Sequence, residues 1–219
     1  MEENKSKHKK MNTVTQTAQK QANTTPDQAI LQLKEGNIRF INKKQITRDL
    51  QQQINETAQG QFPFAAVVSC IDSRIPTEVV FDQGIGDIFN ARVAGNIVNE
   101  DILGSLEFAC KLAGAKAIVV MGHTACGAVK GACDNAELGN LTQMLKKIRP
   151  AVEQTSTHEN EERNSSNIEF VNKVADKNVE LTIENIKAQS DVLNQMDSKG
   201  EIVIVGAMYD VHTGEITFS

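Results

Sequence analysis

The sequence predicts a single α/β domain: a mostly parallel β-sheet flanked by helices. Short apolar runs rich in Val and Ile, typical of buried strands, alternate with longer segments of helical periodicity. This alternation indicates a parallel sheet, because each parallel connection has to cross back over the sheet. The chain has 219 residues, enough for one substantial core, and no repeat or linker divides it after residue 25.

We expect about four parallel strands and one antiparallel strand at the C-terminus. The parallel strands are predicted, in chain order, at 64–70, 87–94, 115–123 and 201–210. A turn at HTG, residues 212–214, precedes EITFS, which is expected to pair antiparallel with the fourth strand.

Helices are predicted before and between these strands. Thr25 suits an N-cap, Pro26 suits the first helical position, and Gln28 completes a capping box. This helix has an incomplete apolar stripe, and a second, mostly polar helix at 46–59 completes an N-terminal helical arm over residues 25–60. Further helical segments are predicted at 77–84, at 99–114, from about 126, at 137–153 and at 167–196.

Composition and charge exclude several classes of protein. The formal net charge of −5 gives no indication of a nucleic-acid partner. No apolar run approaches the roughly 20 residues of a membrane span, and the N-terminus lacks the apolar segment of a secretory signal. We therefore expect a cytoplasmic protein, in which the four cysteines are thiols or metal ligands. Residues 1–24, rich in lysine, are predicted to be a disordered basic tail, and residues 25–219 one domain.

Reactive side chains follow two of the predicted strands. Cys70, Asp72 and Arg74 come at the exit of the first strand, and His123 and Cys126 at the exit of the third. Sites of α/β proteins lie beyond the carboxyl ends of parallel strands. Two thiolates and an imidazole are good zinc ligands, and three protein ligands with one open position is the catalytic arrangement. The pattern predicts a zinc site whose fourth position holds water or Asp72.

Each fragment alone is a weak signal. A buried cysteine at a strand end is usually a small apolar residue, and an exposed Asp–Arg pair contributes little. The coincidence of both fragments at strand exits favours the metal site. Cys110 and Cys133 lie inside helical patterns and are predicted to be packing residues. GIGD at 84–87 precedes a strand instead of a helix, so a dinucleotide site is excluded.

The segments CIDSR (70–74) and GHTACGAVKGAC (122–133) resemble the two signature segments of the β-class carbonic anhydrases. LKEGNIRF (33–40) and DIFNARVAGNIV (87–98) fit the same family, and the resemblance covers about residues 27–219. It implies a zinc-dependent carbonate dehydratase, which hydrates CO2 reversibly to bicarbonate and a proton by zinc-bound hydroxide. It also implies a homodimer, or a tetramer made of two dimers, in which the N-terminal helices embrace the neighbouring subunit.

The resemblance also implies roles for individual residues. Cys70, His123 and Cys126 match the zinc ligands, and Asp72 and Arg74 match the catalytic dyad, with Asp72 ligating zinc only in a closed form. Four positions match the substrate site: Gln61 as a hydrogen-bonding residue, Gly127 through its backbone N–H, and Phe89 and Phe108 as apolar wall.

Some family members stabilise the closed form with a bicarbonate pocket built from a Trp, an Arg and a Tyr. Arg92 and Tyr209 match the Arg and the Tyr, but Val67 stands at the position of the Trp. We therefore expect the open form, with water as the fourth ligand, near neutral pH.

Two other functions remain open. A hydrolase of carbon disulfide or carbonyl sulfide would use the same ligands with different access to the pocket. A non-catalytic, zinc-stabilised scaffold is the alternative from a different class. The presence of Asp72, Arg74 and Gln61 argues against the scaffold, because a scaffold needs the metal ligands but not the dyad.

Overall fold

A five-stranded sheet forms the centre of the molecule. The computed structural model describes residues 15–219. The strands are β1 (Ala65–Ser69), β2 (Ile88–Arg92), β3 (Ala117–His123), β4 (Val203–Tyr209) and β5 (Ile216–Phe218). They lie in the order β2-β1-β3-β4-β5; the first three pairs are parallel, and β5 is antiparallel to β4. The predicted fold class is confirmed.

Helices cover both faces of this sheet. The α-helices of the described residues are α1 (Ala18–Asn23), α2 (Pro26–Ile41), α3 (Leu50–Thr57), α4 (Thr77–Val80), α5 (Glu100–Glu107), α6 (Gly127–Cys133), α7 (Gly139–Lys146), α8 (Arg149–Gln154), α9 (Ile168–Gln189) and α10 (Asp191–Ser198). A 3₁₀ turn occupies Ala94–Asn96, and a π-helical turn over Phe108–Leu112 follows α5. Within residues 15–219, no helix is both long enough and apolar enough to cross a membrane.

Two segments predicted as single helices are divided in the structure. The segment 137–153 forms α7 and α8, and the segment 167–196 forms α9 and most of α10. Ser190 ends α9 in an extended conformation, and its hydroxyl accepts the N–H of Leu193 as the N-cap of α10. The apolar periodicity continues across this break, so the pattern alone did not reveal it.

Regular structure begins closer to the N-terminus than the sequence predicted. Residues 1–14 lie outside the described part, but the tail boundary at residue 24 was wrong, since α1 occupies residues 18–23. Gln21 is buried, and its side-chain amide donates hydrogen bonds of 2.7 Å to the carbonyls of Pro63 and Ala113. A segment with few apolar residues is held here by polar contacts. The capping box at the start of α2 is formed as predicted.

The sheet separates two apolar layers. Side-chain alternation in β1 places Ala65 and Val67 in one layer and Ala66 and Val68 in the other. Every residue of β1 and of β3 is buried, as expected for the central strands of a parallel sheet covered on both faces.

The strand register brings two strand exits together. Ser69, the last residue of β1, pairs with Met121 of β3, two residues before that strand ends. The segments that follow β1 and β3 therefore leave the sheet side by side at its carboxyl edge, where the candidate site lies.

Candidate active site

Cys70, His123 and Cys126 meet at the carboxyl edge of the sheet. Their ligand atoms all lie within 4.8 Å of one another, and all three residues are buried. The two Sγ atoms are 4.0 Å apart. The parallel register of β1 and β3 thus assembles the three side chains that the sequence singled out as metal ligands.

The imidazole of His123 is oriented to offer one nitrogen to this cluster. Its Nδ1 lies 2.9 Å from the carbonyl oxygen of Thr124. A carbonyl oxygen only accepts hydrogen bonds, so Nδ1 carries the proton and Nε2 keeps a free lone pair. Nε2 is buried and has no hydrogen-bond partner. Leaving such an atom unsatisfied costs about 1–3 kcal/mol, a cost that a metal ion bound to Nε2 removes.

The two thiols share a proton in the metal-free chain. The hydrogen bond with Cys126 lowers the pKa of Cys70 to about 4, with smaller contributions from His123 and the N–H of Gly95 opposing the effect of burial. The same thiol–thiol bond, together with burial, raises the pKa of Cys126. A divalent metal replaces that shared proton, because thiolates are its ligands. The set of two sulfurs and one imidazole fits Zn²⁺.

A backbone N–H supports the first thiolate. Gly95 donates its N–H to Cys70 Sγ at 3.3 Å. Gly95 has φ +74°, a conformation that favours glycine, and a Cβ built there would lie 2.4 Å from Cδ1 of Ile148, which would have to shift. Sequence reasoning missed this contact, because no local pattern relates residue 95 to the sulfur of residue 70.

Asp72 and Arg74 form a two-point ion pair beside the cluster. Arg74 donates from Nε to Oδ1 at 2.9 Å and from its terminal nitrogen to Oδ2 at 2.7 Å. The Arg74 side chain lowers the pKa of Asp72, which keeps the carboxyl group ionised. Oδ2 of Asp72 lies 3.8 Å from Nε2 of His123, so the carboxylate faces the cluster while Arg74 holds it.

Arg92 fixes the backbone of the same segment. Its guanidinium donates to the carbonyls of Cys70 at 3.0 Å and Asp72 at 2.7 Å. Sequence reasoning matched Arg92 to a bicarbonate pocket and did not foresee these bonds. Val67, at the position of the missing Trp, is fully buried inside β1, and Tyr209 is buried at the end of β4. No contact within residues 15–219 tests the expectation of an open form near neutral pH, which stays a prediction.

Three of the predicted substrate residues lie away from the cluster of their own chain. Gln61 is exposed and precedes β1, whereas Cys70 follows it. Phe89 pairs with Ala66, roughly 13 Å along β1 from Cys70. Phe89 packs edge-to-face against the exposed Phe108, with ring centroids 6.3 Å apart. Their predicted roles are therefore not tested by the contacts within one chain.

Gly127 lies directly beside the cluster, and its role in the substrate site stays a prediction. It is the first residue of α6, directly after Cys126, so no carbonyl within the helix accepts its N–H. A Cβ built at Gly127 meets nothing within 4 Å, which leaves open space beside Cys126.

The other two cysteines belong to the core. Cys110 and Cys133 are both buried and lie in helical segments. Burial raises the pKa of Cys110 to about 12 and that of Cys133 to about 11, so both stay protonated thiols. They are packing residues, as predicted.

The fold and this site define an α/β protein with a buried Cys2His cluster that could hold a metal ion, beside an Asp–Arg pair. A family model described as carbonic anhydrase matches residues 65–216. Carbonic anhydrase 2 of Mycobacterium tuberculosis is 33% identical over 193 residues, covering 88% of this chain and 92% of the relative. The carbonic anhydrase of Mycolicibacterium smegmatis is 30% identical over 201 residues, covering 89% and 93%. The crystal structure of the β-carbonic anhydrase CafA of Aspergillus fumigatus superposes with a TM-score of 0.66 at 27% identity, covering 88% and 89%. The chain belongs to the β-carbonic anhydrase family.

Proposed function

We propose that this chain catalyses the reversible hydration of CO2 to bicarbonate and a proton, with Zn²⁺ held by Cys70, His123 and Cys126. The observation that carries this proposal is the unpartnered, buried Nε2 of His123 facing two thiols, with all ligand atoms within 4.8 Å. When bound, zinc lowers the pKa of a coordinated water to about 7, which supplies hydroxide at neutral pH. Family membership makes the enzyme a carbonate dehydratase.

Asp72 orients the attacking group. Its Oδ2, 3.8 Å from the ligating nitrogen, is placed to accept a hydrogen bond from an oxygen nucleophile at the cluster. Accepting that bond directs a lone pair of the nucleophile away from Asp72 and towards a substrate on the open side. Arg74 keeps Asp72 ionised and holds it by two hydrogen bonds, which supports an open site with Asp72 off the metal.

Gly127 contributes on the product side. Its N–H at the start of α6 has no carbonyl acceptor within the helix and is available to a bicarbonate oxygen, and a Cβ built at this glycine meets nothing within 4 Å. Arg92 holds the backbone of Cys70 and Asp72 by two hydrogen bonds. The position of the orienting carboxylate relative to the Cys70 sulfur is thereby fixed.

We further propose that the chain acts as a homodimer or as a pair of dimers. Several apolar side chains of the helical arm are exposed to solvent. Leu31 and Ile38 of α2 are 53% and 56% exposed, and Leu50 of α3 is 55% exposed. Phe108 is 51% exposed beside Phe89. Burial of these groups against a second copy would stabilise the assembly, and it would let Gln61, Phe89 and Phe108 serve a neighbouring site.

We expect the wild-type protein to sediment as a dimer or a larger even-numbered assembly. Replacing both Leu31 and Ile38 by Glu should give monomers, because four charges would be buried in each symmetric contact. The matched control is Leu138→Glu, at another exposed apolar residue, located before α7. Sedimentation velocity checks this, and a wild-type monomer at micromolar concentration would contradict the proposal.

The cytoplasm remains the proposed location. In residues 15–219, which include all four cysteines, every cysteine is a free thiol. Two of these thiols are packing residues and two form the proposed metal centre. This usage is typical of proteins kept in a reducing compartment.

Stopped-flow measurement of CO2 hydration on zinc-replete protein, from about pH 6.5 to 9, tests the proposed function. We expect rapid turnover already at neutral pH, because the two hydrogen bonds from Arg74 keep both oxygens of the Asp72 carboxylate engaged in the ion pair. Turnover confined to the alkaline end would contradict the open site. No turnover at any pH, with zinc bound, would favour carbon disulfide or carbonyl sulfide as substrate, or the scaffold.

A further inference from the structure

We propose that Asn172 and Asn178, two asparagines of α9, are positioning residues that hold the two thiolate ligands in place for the metal. This inference rests on the zinc site proposed above. Within residues 15–219, neither asparagine forms a hydrogen bond with a ligand side chain. Each instead binds the backbone of a segment that contacts or carries one of the cysteines.

Asn178 acts on Cys70 through Gly95. The side chain of Asn178 is buried, 3% exposed, and its Nδ2 donates to the carbonyl oxygen of Gly95 at 2.8 Å. The N–H of the same glycine donates to Cys70 Sγ at 3.3 Å. Gly95 has a left-handed conformation in a 3₁₀ turn of three residues, which offers little internal restraint. The bond from Asn178 fixes the turn and so aims its N–H at the sulfur.

Asn172 acts on Cys126 through Ala125. Oδ1 of Asn172 accepts the N–H of Ala125 at 2.9 Å. Ala125 has φ +54°, a conformation that costs a residue with a Cβ about 1–2 kcal/mol. It lies between His123 and Cys126 and sets the direction in which the chain leaves β3. The bond from Asn172 offsets part of that cost and holds both ligands of this turn.

Both asparagines lie on one rigid element. Helix α9 is continuous from Ile168 to Gln189 and packs against β3 and against the Ala94–Asn96 turn. Six residues separate the two amides, which is about 9 Å along the helix axis. The turns at Gly95 and Ala125 are far apart in sequence, and both are therefore held by hydrogen bonds to the same helix. Partners of this kind, beyond the ligands themselves, typically change metal affinity by 10–100-fold.

The two asparagines use opposite ends of the amide, and this difference provides a test. Asn172 accepts a hydrogen bond, and a carboxylate at that position can still accept it. Asn178 donates one, and an ionised carboxylate cannot. The same substitution, Asn to Asp, should therefore preserve metal affinity at position 172 and reduce it at position 178.

Zinc affinity is measured by competition with a chromophoric chelator, and Co²⁺ replaces zinc to report thiolate-to-metal charge-transfer bands. We expect N172A, N178A and N178D to weaken zinc binding by about 10–100-fold, and N172D to stay within about threefold of wild type. The N178 variants should also shift the cobalt bands, because Cys70 Sγ loses a well-aimed N–H donor.

Asn37 supplies the matched control. It is also 3% exposed, and its Nδ2 donates to the carbonyls of Val80 and Gly214, away from the cluster. N37A should lower the melting temperature and leave zinc affinity unchanged. Equal loss of affinity in N37A, or equal behaviour of Asp and Ala at position 172, would overturn the inference.

The zinc affinities of the variants and of the wild-type protein separate this inference from the proposed function. Wild-type affinity in folded N172A and N178A overturns the inference and leaves the zinc site standing. A wild-type protein that binds no zinc overturns the proposed function instead. If the variants of the buried Asn178 do not fold, the comparison of N172A with N172D decides alone, because Asn172 is only partly buried.

Discussion

We expect that replacing Cys126 by Ser abolishes zinc binding and, with it, CO2 hydration. A serine hydroxyl is not deprotonated at neutral pH, so the cluster would keep one thiolate and one imidazole. We expect the zinc content of the purified protein to fall from about one ion per chain to a trace, and turnover to fall by at least about 1000-fold. Metal analysis by mass spectrometry and stopped-flow hydration measure the two effects.

Cys133→Ser is the matched control for this substitution. Cys133 is also buried, 6% exposed, and ends the same helix α6 that Cys126 precedes. Both variants bury a hydroxyl in place of a thiol, so both lose some folding free energy, of the order of 1–3 kcal/mol. C133S should nevertheless keep its zinc and most of its turnover. Full zinc content in C126S would show that the cluster is not the metal site.

Removing the carboxylate of Asp72 separates catalysis from metal binding. In Asp72→Ala the three ligands remain, and we expect the zinc content to stay at the wild-type level. Turnover should fall by roughly 100- to 10,000-fold, because the group that accepts a hydrogen bond from the nucleophile and orients it is lost. The measurements are kcat and KM from stopped flow, alongside metal analysis of the same sample.

Asp210→Ala is the comparison variant for Asp72→Ala. Asp210 follows β4 at the same edge of the sheet, and its carboxylate accepts the N–H groups of His212 and Thr213. D210A loses turn-forming hydrogen bonds but no group aimed at the cluster, so its turnover should stay near wild type. Unchanged turnover in D72A would remove the proposed role of the dyad. Loss of zinc in D72A in step with turnover would assign Asp72 a structural role.

Several features of the fold could be predicted because their causes lie within a few residues of chain. The apolar runs of β1 and β3 indicated central strands, and the capping box at Thr25 indicated the start of α2. The position of Cys70 and His123 at strand exits followed from the same patterns. Parallel pairing then implied that the two exits share one edge, so the cluster was foreseeable without knowledge of the register.

Other features depended on contacts between distant segments. Gln21 lies in a polar stretch that was predicted to be disordered, yet it bonds to carbonyls 42 and 92 residues away and holds α1 in place. Arg92 donates hydrogen bonds to the carbonyls of Cys70 and Asp72 because the pairing of β1 with β2 places it opposite Ser69. The break at Ser190 interrupts an apolar periodicity that runs on unchanged.

The fold class, the order of the strands along the chain and the three side chains of the cluster could thus be predicted from the sequence alone. Periodicity, caps and strand exits are local, and each is encoded by neighbouring residues. The groups that surround the cluster were visible only in the folded chain: the N–H of Gly95, the guanidinium of Arg92, and the amides of Asn172 and Asn178. Arg92 and the two asparagines bond to backbone atoms, and the N–H of Gly95 is itself a backbone group. Backbone groups are the same in every residue, so no side-chain pattern in the sequence identifies these pairs.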